Sequence, residues 1–582
     1  MIVTEKREKI FQYMKKVLCN YEELRGKQVN TSTKKQFWDA VIISACDSDQ
    51  KFGYEMQILL KQQKGELPLN VSFHVFADPP DFKIGCGGST MFVLAKVFEM
   101  YGNAMLDMRL LIIPAGGYSQ RLPNLSALGK LFCPLPFGQK NYQMLDLVLA
   151  IYLPFLKRMK PGVFLASSDA VISYYIADDD VWNFENEGFT ALAHPSPVPV
   201  GTSHGVYVLP SMDSFECGST FMSECLRVLQ KPTVQEMHEK NAIIKKSLGS
   251  EKEEEIIYSD SAFYFDHNIS MTLIKFYNTS QPLKCELSSY GDFLQPLGLH
   301  ASPTYIMEKL TSEELAETRS ALYRNLFGTK LSIFVLEMSD FHHLGSMNEY
   351  VESFCFKNKF CDAFPMLKFS CSSLSVPGIS PFYIHGTILH SRVHPLSVVP
   401  ESSVLEYCDL NVAVDVGENC IISNVRLNGY PVQKLPFQVP NNTLLHTAAF
   451  KDGFVTVSFG INDDIKETFS FEKSLEIKLL GKKLSSLVKS SGKLFELGCN
   501  DCSLWNAQLF PLCNSPEESL KKTLELILCI QQGEDFLFLY SSVFEHTTWL
   551  SMNDVLCLKD AEKMIAYQKA LYCKNLGKFV EI

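Results

Sequence analysis

The stretch that decides the fold is Met108-Arg-Leu-Leu-Ile-Ile-Pro114, which runs directly into Ala115-Gly-Gly-Tyr-Ser-Gln-Arg-Leu-Pro-Asn-Leu-Ser-Ala-Leu-Gly-Lys130. The apolar run predicts a buried strand, and the glycine pair predicts a sharp turn whose backbone can approach a phosphate. Arg121 then offers a planar fork of donors, and Lys130 offers a compact positive charge. This order indicates a loop that grips a nucleoside triphosphate, and a plain loop with two unrelated cations is the alternative.

Short apolar runs alternate with helical patterns from about residue 26 to about residue 330, which is typical of an open α/β sheet. Ligands of such sheets bind at the carboxyl ends of the strands, where this chain has polar or glycine-rich turns. We predict a Rossmann-like domain over residues 26–330 with a mixed, mostly parallel sheet, preceded by a helix within residues 1–25. The candidate strands are Ala40–Ser44, Val71–Phe76, Leu110–Ile113, Val163–Ala166 and Ala191–His194.

An apolar residue recurs at every sixth position in the C-terminal part of the chain. A six-residue period is typical of a β-helix, in which each short face contributes one inward residue, and ordinary meandering strands are the alternative. We predict a connecting segment over residues 331–375 and a left-handed β-helix-like domain over residues 376–582 that ends in helices near 515–532 and 559–575. The repeating positions are Val398, Val404, Leu410, Val416 and Ile422.

The composition bounds the class of protein. The 582 residues are 46% apolar and 20% charged, which is enough apolar material for several folded domains. No apolar run reaches the roughly 18 residues of a membrane-spanning helix, and the charged N-terminus is unlike a secretory signal, so we expect a cytoplasmic protein without a membrane partner. The net charge of −11 argues against nucleic-acid binding. An anionic ligand would therefore need local cations or a bound metal ion.

A second glycine-rich turn, Ile84-Gly-Cys-Gly-Gly-Ser-Thr90, precedes the first one and continues into a helical pattern. Glycines at a helix start expose N–H groups that can bind anions, although a tight connection between two elements explains them equally well. The sequence alone leaves open which turn holds the triphosphate. The candidate phosphate-binding residues are Gly85, Gly87, Gly88, Ser89 and Thr90 in this turn and Gly116, Gly117, Ser119 and Gln120 in the other.

Two aspartates are candidate ligands for Mg²⁺. Asp169 follows the apolar run Val163–Ala166, and Asp292 follows Gly291 directly. Carboxylates beside phosphates suit Mg²⁺, and one carboxylate seldom holds the ion firmly, so we expect both to contribute. A helix N-cap for Asp169 and a simple turn for Asp292 are the alternatives.

The order of these motifs resembles that of the sugar-1-phosphate nucleotidyltransferases. The likeness includes the glycine turn with Arg121 and Lys130, the aspartate after a strand and the apolar hexads. Between the aspartate and the hexads it also includes Gly201-Thr-Ser-His-Gly205 and Tyr290-Gly-Asp292. Several longer motifs are similar to one family within that group, the fucose-1-phosphate guanylyltransferases or GDP-L-fucose pyrophosphorylases, and the likeness covers roughly residues 25–430. These motifs are Ile84–Thr90, Gly116–Pro123, Phe189-Thr-Ala-Leu-Ala-His-Pro195 and Tyr290-Gly-Asp-Phe-Leu-Gln295.

Two positions depart from the broader group. Ser119-Gln120 stands before Arg121 where the broader pattern has Gly-Thr, and Gly129 stands before Lys130 where the broader pattern has Pro. Both departures agree with the fucose branch, so they narrow the resemblance to it.

The resemblance implies a reaction in which GTP and β-L-fucose 1-phosphate give GDP-L-fucose and pyrophosphate, a step of fucose salvage, by Mg²⁺-assisted in-line attack. It implies that Arg121 holds the leaving phosphates and that Lys130 stabilises the α-phosphate as charge develops. Asp169 and Asp292 would hold the metal ion. The residues that it assigns to contacts with the base or the sugar are Gly201, Thr202, His204 and Glu286.

Two other functions stay open at this point. The same fold could act on another sugar 1-phosphate, or the chain could be a non-catalytic relative that binds sugar nucleotides or regulates a partner. Non-catalytic relatives tend to lose the arginine, the lysine or a metal-binding aspartate, and this chain keeps all four residues. The C-terminal domain is a candidate surface for a homo-oligomer.

Overall fold

A computed structural model describes residues 2–31, 34–180, 182–184, 187–210, 219–247, 253–428, 437–486, 488, 491–532 and 548–578. The chain packs into two compact units. Unit 1 comprises Met1–Gly117 and Leu145–His343, and unit 2 comprises Tyr118–Met144 and Leu344–Ile582. No helix in these ranges is both long enough and apolar enough to span a bilayer.

Unit 1 contains an α/β sheet and its helices. The α-helices are Ile2–Glu22, Ser48–Gln63, Gly85–Tyr101, Met144–Ile151, Leu153–Leu156, Val198–Gly201, Val234–Glu239, His267–Thr279 and Glu313–Leu326, with 3-10 turns at Gly102–Asp107 and Pro303–Met307. The strands are Asn30–Thr31, Lys34–Lys35, Ala40–Ala45, Ser72–Ala77, Arg109–Pro114, Gly162–Leu165, Ala170–Tyr174, Phe189–Pro197, Gly205–Val208, Thr220–Glu224, Arg227–Gln230, Ile244–Ser247, Glu253–Phe265, Leu331–Leu336 and Ser339–His343.

The main sheet of unit 1 is mixed, as predicted. One half is fully parallel, because Gly162–Leu165, Arg109–Pro114, Ala40–Ala45 and Ser72–Ala77 run in the same direction. Glu253–Phe265 is antiparallel to both of its neighbours. The order across the sheet is Thr220–Glu224, Leu331–Leu336, Phe189–Pro197, Glu253–Phe265, Gly162–Leu165, Arg109–Pro114, Ala40–Ala45 and Ser72–Ala77.

The parallel half forms where the sequence has continuous apolar runs. Every residue of Ala40–Ala45 is buried, as is the interior of Arg109–Pro114. A parallel strand inside an α/β sheet is covered on both faces, so it has no polar alternation. The five strands predicted from such runs are all present, each shifted or extended at its ends.

Unit 2 is built mainly from short strands. Its α-helices are Pro123–Ser126, Met347–Cys355, Lys359–Ala363, Pro516–Gln532, Met552–Leu558 and Ala561–Asn575, with 3-10 turns at Lys130–Phe132, Phe471–Glu476, Leu484–Ser486 and Ser491–Lys493. The strands are Phe369–Ser370, Ser373–Leu374, Thr387–Leu389, Arg392–Val393, Val404–Glu406, Asp409–Leu410, Val414–Val416, Ile421–Ser423, Arg426–Leu427, Phe437–Val439, Thr443–Phe450, Gly453–Gly460, Lys478–Leu479, Lys482–Lys483, Phe510–Pro511 and Trp549–Leu550. The helices predicted near 515–532 and 559–575 are confirmed.

The strands from Phe369 to Phe450 lie in three parallel ladders, and we call this part of unit 2 the coil stack. One coil is a circuit of the chain through the ladders. Val404 pairs with Ile421, so equivalent positions on these two coils are 17 residues apart.

The strict six-residue period predicted for this part is only partly correct. Leu410, Val416 and Ile422 lie in the core of the coil stack, whereas Val398 is 40% exposed. A 17-residue coil advances its core positions by steps of five, six and six residues, so a strict hexad loses register within each coil. The actual core series is Ile388, Val393, Val399, Leu405, Leu410, Val416, Ile422 and Leu427.

The units also divide the chain differently from the predicted domains. Residues 118–144, which the sequence placed inside the α/β domain, pack in unit 2. Leu331–Leu336, which the sequence placed in a connecting segment, is a strand of unit 1 because it pairs with Thr220–Glu224 and with Phe189–Pro197.

Candidate active site

The Gly116–Gly117 turn lies at the carboxyl end of the strand Arg109–Pro114. A Cβ atom on Gly116 would stand 3.1 Å from the backbone nitrogen of Cys46, so glycine allows the turn to pass close to the next strand end. Gly117 has a φ of +130° and nothing within 4 Å of a built Cβ. Gln50 donates from Nε2 to the Gly117 carbonyl at 3.1 Å and fixes the turn. The exposed backbone here suits close approach by a phosphate.

The glycines of the Gly85 turn serve internal packing. A Cβ on Gly85 would stand 2.4 Å from the carbonyl oxygen of Leu287, and one on Gly87 would stand 3.0 Å from the carbonyl carbon of Ser288. The N–H of Gly87 donates to the Leu287 carbonyl at 2.8 Å. Because these glycines have no side chain, the start of helix Gly85–Tyr101 can contact the segment that contains Leu287 and Ser288. This agrees with the alternative interpretation of the turn as a tight connection between two elements. Gly88 is crowded in the same way, by Ile84 and Leu283.

The two hydroxyls of the same turn have partners within unit 1. Ser89 donates from Oγ to Asp78 Oδ1 at 2.6 Å, and Thr90 donates from Oγ1 to the Cys86 carbonyl at 2.7 Å. Both side chains are buried. Burial raises the pKa of Asp78 to about 6 despite the hydrogen bond from Ser89. These hydroxyls stabilise the turn itself.

Asp169 lies partly exposed in the turn between Gly162–Leu165 and Ala170–Tyr174. Its Oδ1 accepts a hydrogen bond from Ser167 Oγ at 2.7 Å, and its Oδ2 is 3.6 Å from His343 Nε2. The His343 ring is in turn 5.7 Å from the His204 ring, measured between centroids.

Asp169 and His204, both predicted site residues, thus lie on either side of His343. His343 was not among the predicted residues. The strand Ser339–His343 is antiparallel to Ala170–Tyr174 and sets His343 opposite Ala170. The adjacent pair His342-His343 is a visible signal in the sequence, but its position depends on a pairing that spans more than 160 residues.

Asp292 is buried, and both of its carboxylate oxygens have partners. Oδ1 accepts from Arg319 Nε at 2.8 Å, and Oδ2 accepts from the backbone N–H of Ser288 at 2.7 Å. Burial raises the pKa of Asp292, and the charge of Arg319 opposes that shift. A carboxylate engaged in this way does not fit the role of a Mg²⁺ ligand, because the cation would have to displace a guanidinium.

Of the two predicted Mg²⁺ ligands, Asp169 is the one whose surroundings still fit the role. Its carboxylate is partly exposed, and its oxygen donors are of the type that Mg²⁺ prefers. Among the described residues, no three His, Cys, Asp or Glu side chains are grouped closely enough to hold a metal ion.

The segment Gly201–His204 ends a short helix. A Cβ on Gly201 would stand 2.7 Å from Met237 Sδ, so this glycine also serves packing. Thr202 is exposed and donates from Oγ1 to the Pro199 carbonyl at 2.8 Å. Glu286 is exposed on the segment that contacts the Gly85 turn.

A buried carboxylate next to this segment was missed by the sequence analysis. Asp260 lies where the strand Glu253–Phe265 shifts register against Phe189–Pro197. Its Oδ1 accepts a hydrogen bond from the Gly205 N–H at 3.0 Å, and a Cβ on Gly205 would stand 2.3 Å from its Oδ2. Burial raises the pKa of Asp260 to about 6, and the Gly205 N–H and the charge of Lys231 lower it in part.

Three more buried polar atoms lie near Asp260: a Cβ on Gly205 would stand 3.1 Å from Gln230 Oε1, and the charge of Asp260 acts on the phenols of Tyr207 and Tyr290. Gln230 Oε1, Tyr207 OH and Tyr290 OH have no hydrogen-bond partner within the described part of the chain. Burial raises the pKa of both phenols, and the charge of Asp260 raises it further. Buried polar groups normally have hydrogen-bond partners, so these three atoms are candidates for contact with a bound molecule. We call Asp260, Gln230, Tyr207 and Tyr290 the polar cluster.

Arg121 and Lys130 belong to unit 2. They lie on residues 118–144, which we call the arm. The Arg121 carbonyl accepts a hydrogen bond from the Met347 N–H at 3.0 Å. Lys130 starts the 3-10 turn Lys130–Phe132, and Gly129 before it has a φ of +89°. Proline cannot adopt this backbone, which explains why the chain has glycine here.

The remaining candidates on the arm are Ser119 and Gln120. Ser119 has a φ of +50°, and its carbonyl accepts a hydrogen bond from the Leu122 N–H at 2.8 Å. Gln120 is half-buried. The chain therefore turns sharply between the glycine pair and Arg121.

Comparison with known proteins shows the family to which the chain belongs. A Fucose pyrophosphorylase domain matches residues 102–515. The chain is 36% identical to mouse (Mus musculus) fucose-1-phosphate guanylyltransferase, over 95% of this chain and 96% of that protein. It is 35% identical to the human (Homo sapiens) fucose-1-phosphate guanylyltransferase, over 95% and 93% respectively. It is 23% identical to the Arabidopsis thaliana bifunctional fucokinase/GDP-fucose pyrophosphorylase, over 84% of this chain and 48% of that protein. The chain belongs to the fucose-1-phosphate guanylyltransferase family.

Proposed function

We propose that this protein transfers a guanylyl group from GTP to β-L-fucose 1-phosphate, giving GDP-L-fucose and pyrophosphate. The observation that carries the proposal is the identity of 36% with a fucose-1-phosphate guanylyltransferase over nearly the whole length of both chains. The exposed backbone at Gly117, followed along the chain by Arg121 and Lys130, supports it, because a triphosphate needs both donors and cations.

The proposed mechanism is an in-line displacement. A phosphate oxygen of the sugar phosphate attacks the α-phosphorus of GTP, and pyrophosphate leaves. Arg121 holds the leaving phosphates, and Lys130 stabilises the charge that develops on the α-phosphate. The attacking phosphomonoester is largely ionised above its second pKa of about 6, so no general base is needed. Catalysis then depends on positioning and on charge neutralisation.

We assign the Gly116–Gly117 turn, with Ser119 and Gln120 after it, to the triphosphate. Gly117 is exposed with open space around it, whereas the Gly87 N–H already has a protein partner. The Gly85 turn then acts as support for the segment that contains Tyr290.

We assign the polar cluster to the sugar. The Asp260 carboxylate and the Gln230 carbonyl accept hydrogen bonds from sugar hydroxyls, and the Tyr207 and Tyr290 hydroxyls donate or accept one each. The buried atoms without partners support this assignment, because a bound sugar would supply the missing hydrogen bonds. Gly201, Thr202, His204 and Glu286 remain predicted substrate contacts.

We propose Asp169 as the protein carboxylate that holds Mg²⁺. The ion would neutralise part of the phosphate charge, which matters in a protein with a net charge of −11. Asp292 is not part of this proposal, because both of its oxygens have protein partners. A cytoplasmic location, a homo-oligomer through the C-terminal part and a left-handed coil stack also remain predictions.

The test is pyrophosphate release by the purified protein with Mg²⁺. The panel pairs GTP, ATP and UTP with fucose 1-phosphate, mannose 1-phosphate and glucose 1-phosphate. We expect the highest kcat/KM for GTP with fucose 1-phosphate. A higher value for another pair would support the alternative sugar phosphate, and no release from any pair would support a non-catalytic binding protein.

A further inference from the structure

The arm is anchored by a buried hydrogen bond to the coil stack. Asn124, in the helix Pro123–Ser126, donates from Nδ2 to Glu406 Oε1 at 3.0 Å. The hydroxyl of Tyr350 donates to the other oxygen of the same carboxylate. Asn124 lies between Arg121 and Lys130 in the chain, so one carboxylate of the coil stack holds the middle of the segment that contains both cations.

Glu406 is an unusual side chain for the interior of such a stack. It is 1% exposed, and burial raises the pKa of its carboxyl group, while hydrogen bonds from Asn124, Ser423 and Tyr350 lower it. A buried carboxylate is tolerated only when its oxygens are satisfied by hydrogen bonds. An apolar residue of similar volume would fill the space without that requirement. The Glu406 carboxylate therefore acts through the hydrogen bonds that it accepts, and one of their donors, Asn124, is on the arm.

Residues of the arm that follow Lys130 make further contacts with the rest of unit 2. The N–H of Leu367 donates to the Pro136 carbonyl at 2.7 Å, and Ser370 Oγ donates to the Gly138 carbonyl. Gln143 Nε2, near the end of the arm, donates to Tyr407 OH at 3.4 Å, and Tyr407 follows Glu406 directly. The arm is therefore held to the rest of unit 2 both before and after Lys130.

We propose that the coil stack positions the cations of the arm, and that Glu406 is the positioning residue at the centre of this contact. The proposal rests on the proposed function, because it assigns Arg121 and Lys130 to the triphosphate. The physical reason is that a displacement of about 1 Å of a catalytic group can cost on the order of 100-fold in rate. The C-terminal part then acts in the chemistry through the arm.

The first experiment separates positioning from stability. Glu406→Ala, Asn124→Ala and the double variant are assayed for kcat and for KM with GTP and with fucose 1-phosphate, alongside the melting temperature. We expect each single variant to lose about tenfold or more in kcat/KM for GTP, with KM for fucose 1-phosphate within about twofold of wild type. The double variant should lose no more than the worse single variant, because both changes break one contact.

The matched control is Asp463→Asn. Asp463 is a partly buried carboxylate of unit 2, and it accepts hydrogen bonds from the N–H groups of Gly460 and Leu480, not from the arm. We expect this variant to lower the melting temperature without changing KM for GTP. Glu406→Gln keeps the shape of the side chain and covers the case in which Glu406→Ala fails to fold. In Glu406→Gln the Tyr350 hydroxyl can rotate and accept a hydrogen bond from the amide nitrogen of the glutamine. We therefore expect Glu406→Gln to retain most of the activity.

The second experiment does not depend on activity. Hydrogen exchange of the peptides that cover residues 118–144 is compared between wild type, Asn124→Ala and Asp463→Asn. We expect faster exchange across the arm only in Asn124→Ala. Unchanged exchange of the arm, or an unchanged KM for GTP with a lowered melting temperature, would overturn the positioning role. An inactive wild type with the expected exchange pattern would overturn the proposed function and leave the anchoring role supported.

Discussion

Arg319 donates from Nε to Oδ1 of Asp292 at 2.8 Å, inside unit 1. The second oxygen of Asp292 closes a turn by accepting from the Ser288 N–H. The Gly291-Asp292 motif thus stabilises the segment next to Tyr290, which belongs to the polar cluster. Its likeness to a metal-binding motif comes from the sequence, whereas its partners in the structure indicate a structural role.

Replacing Asp292 and replacing Asp169 should therefore have different effects. Asp292→Asn weakens a buried charge pair, so we expect the free energy of unfolding to fall by about 2 kcal/mol, with little change in the Mg²⁺ concentration needed for half-maximal activity. Asp169→Asn should raise that Mg²⁺ concentration about tenfold or more and leave stability within about 0.5 kcal/mol. Urea unfolding and Mg²⁺ titrations measure the two effects. A shifted Mg²⁺ requirement in Asp292→Asn alone would restore Asp292 as the ligand.

Removing the lysine of the arm should reduce turnover strongly. Loss of one group that stabilises developing charge typically costs about 100- to 1,000-fold in kcat, so we expect a loss in that range for Lys130→Ala. Lys140→Ala is the matched control, because Lys140 is exposed on the same arm and the charge change is identical. Steady-state assays of pyrophosphate release measure both variants. Equal kcat values for Lys130→Ala and wild type would make the lysine peripheral to the chemistry.

The carboxylate of Asp260 should reduce stability near neutral pH. Its pKa is about 6 in the folded protein, raised from 3.8, so the folded state holds its proton more tightly than the unfolded chain does. The raised pKa stabilises the folded state at low pH, and this stabilisation is lost as the pH rises from 3.8 to about 6. Two pKa units correspond to about 3 kcal/mol in the free energy of unfolding. We expect Asp260→Asn to be more stable than wild type at pH 7.5, and the difference to shrink at pH 5, as measured by urea unfolding.

The same variant should bind the sugar phosphate less well. Asparagine keeps an oxygen for the Gly205 N–H but replaces the second acceptor by a donor, so a sugar hydroxyl loses its partner. We expect KM for fucose 1-phosphate to rise about tenfold, with KM for GTP nearly unchanged. Gained stability with unchanged KM for the sugar phosphate would remove Asp260 from the sugar site.

How far the sequence predicts this protein depends on the range of the contacts involved. The parallel strands were predictable because continuous apolar runs such as Ala40–Ala45 are a local signal of burial on both faces. The register of the coil stack was not, because a coil of 17 residues departs from three hexads by a single residue. That the arm belongs to unit 2 was not predictable either, since the hydrogen bond between Asn124 and Glu406 joins residues 282 positions apart.

The candidate site shows the same division. Arg121, Lys130 and the glycine pair could be predicted as a group because they lie together in the chain, and their roles stay predictions. Asp260 carried a local signal, a charged residue inside a buried strand, but the role proposed for it depends on neighbours from three separate segments. Asp292 was assigned to a metal because a motif does not reveal that Arg319 occupies the carboxylate.

Gly205 should be as important as the polar cluster that it borders. A Cβ at this position would stand 2.3 Å from Asp260 Oδ2 and 2.8 Å from its Cγ, so the carboxylate would have to move. Overpacking of this kind typically costs about 1–3 kcal/mol, and we expect Gly205→Ala to lose stability in that range. Because the displaced group is Asp260, KM for fucose 1-phosphate should rise as well.

Two further variants separate the contact from the backbone. Gly102→Ala adds a methyl group where nothing lies within 4 Å and φ is +54°, so it should cost about 1 kcal/mol from conformation alone and leave KM unchanged. Asp260→Ala in the Gly205→Ala background removes the atoms that clash, so the double variant should be more stable than Gly205→Ala alone. Urea unfolding of the four proteins in the cycle gives the coupling free energy. Strict additivity would mean that the two side chains do not meet, and the steric basis for glycine at position 205 would fail.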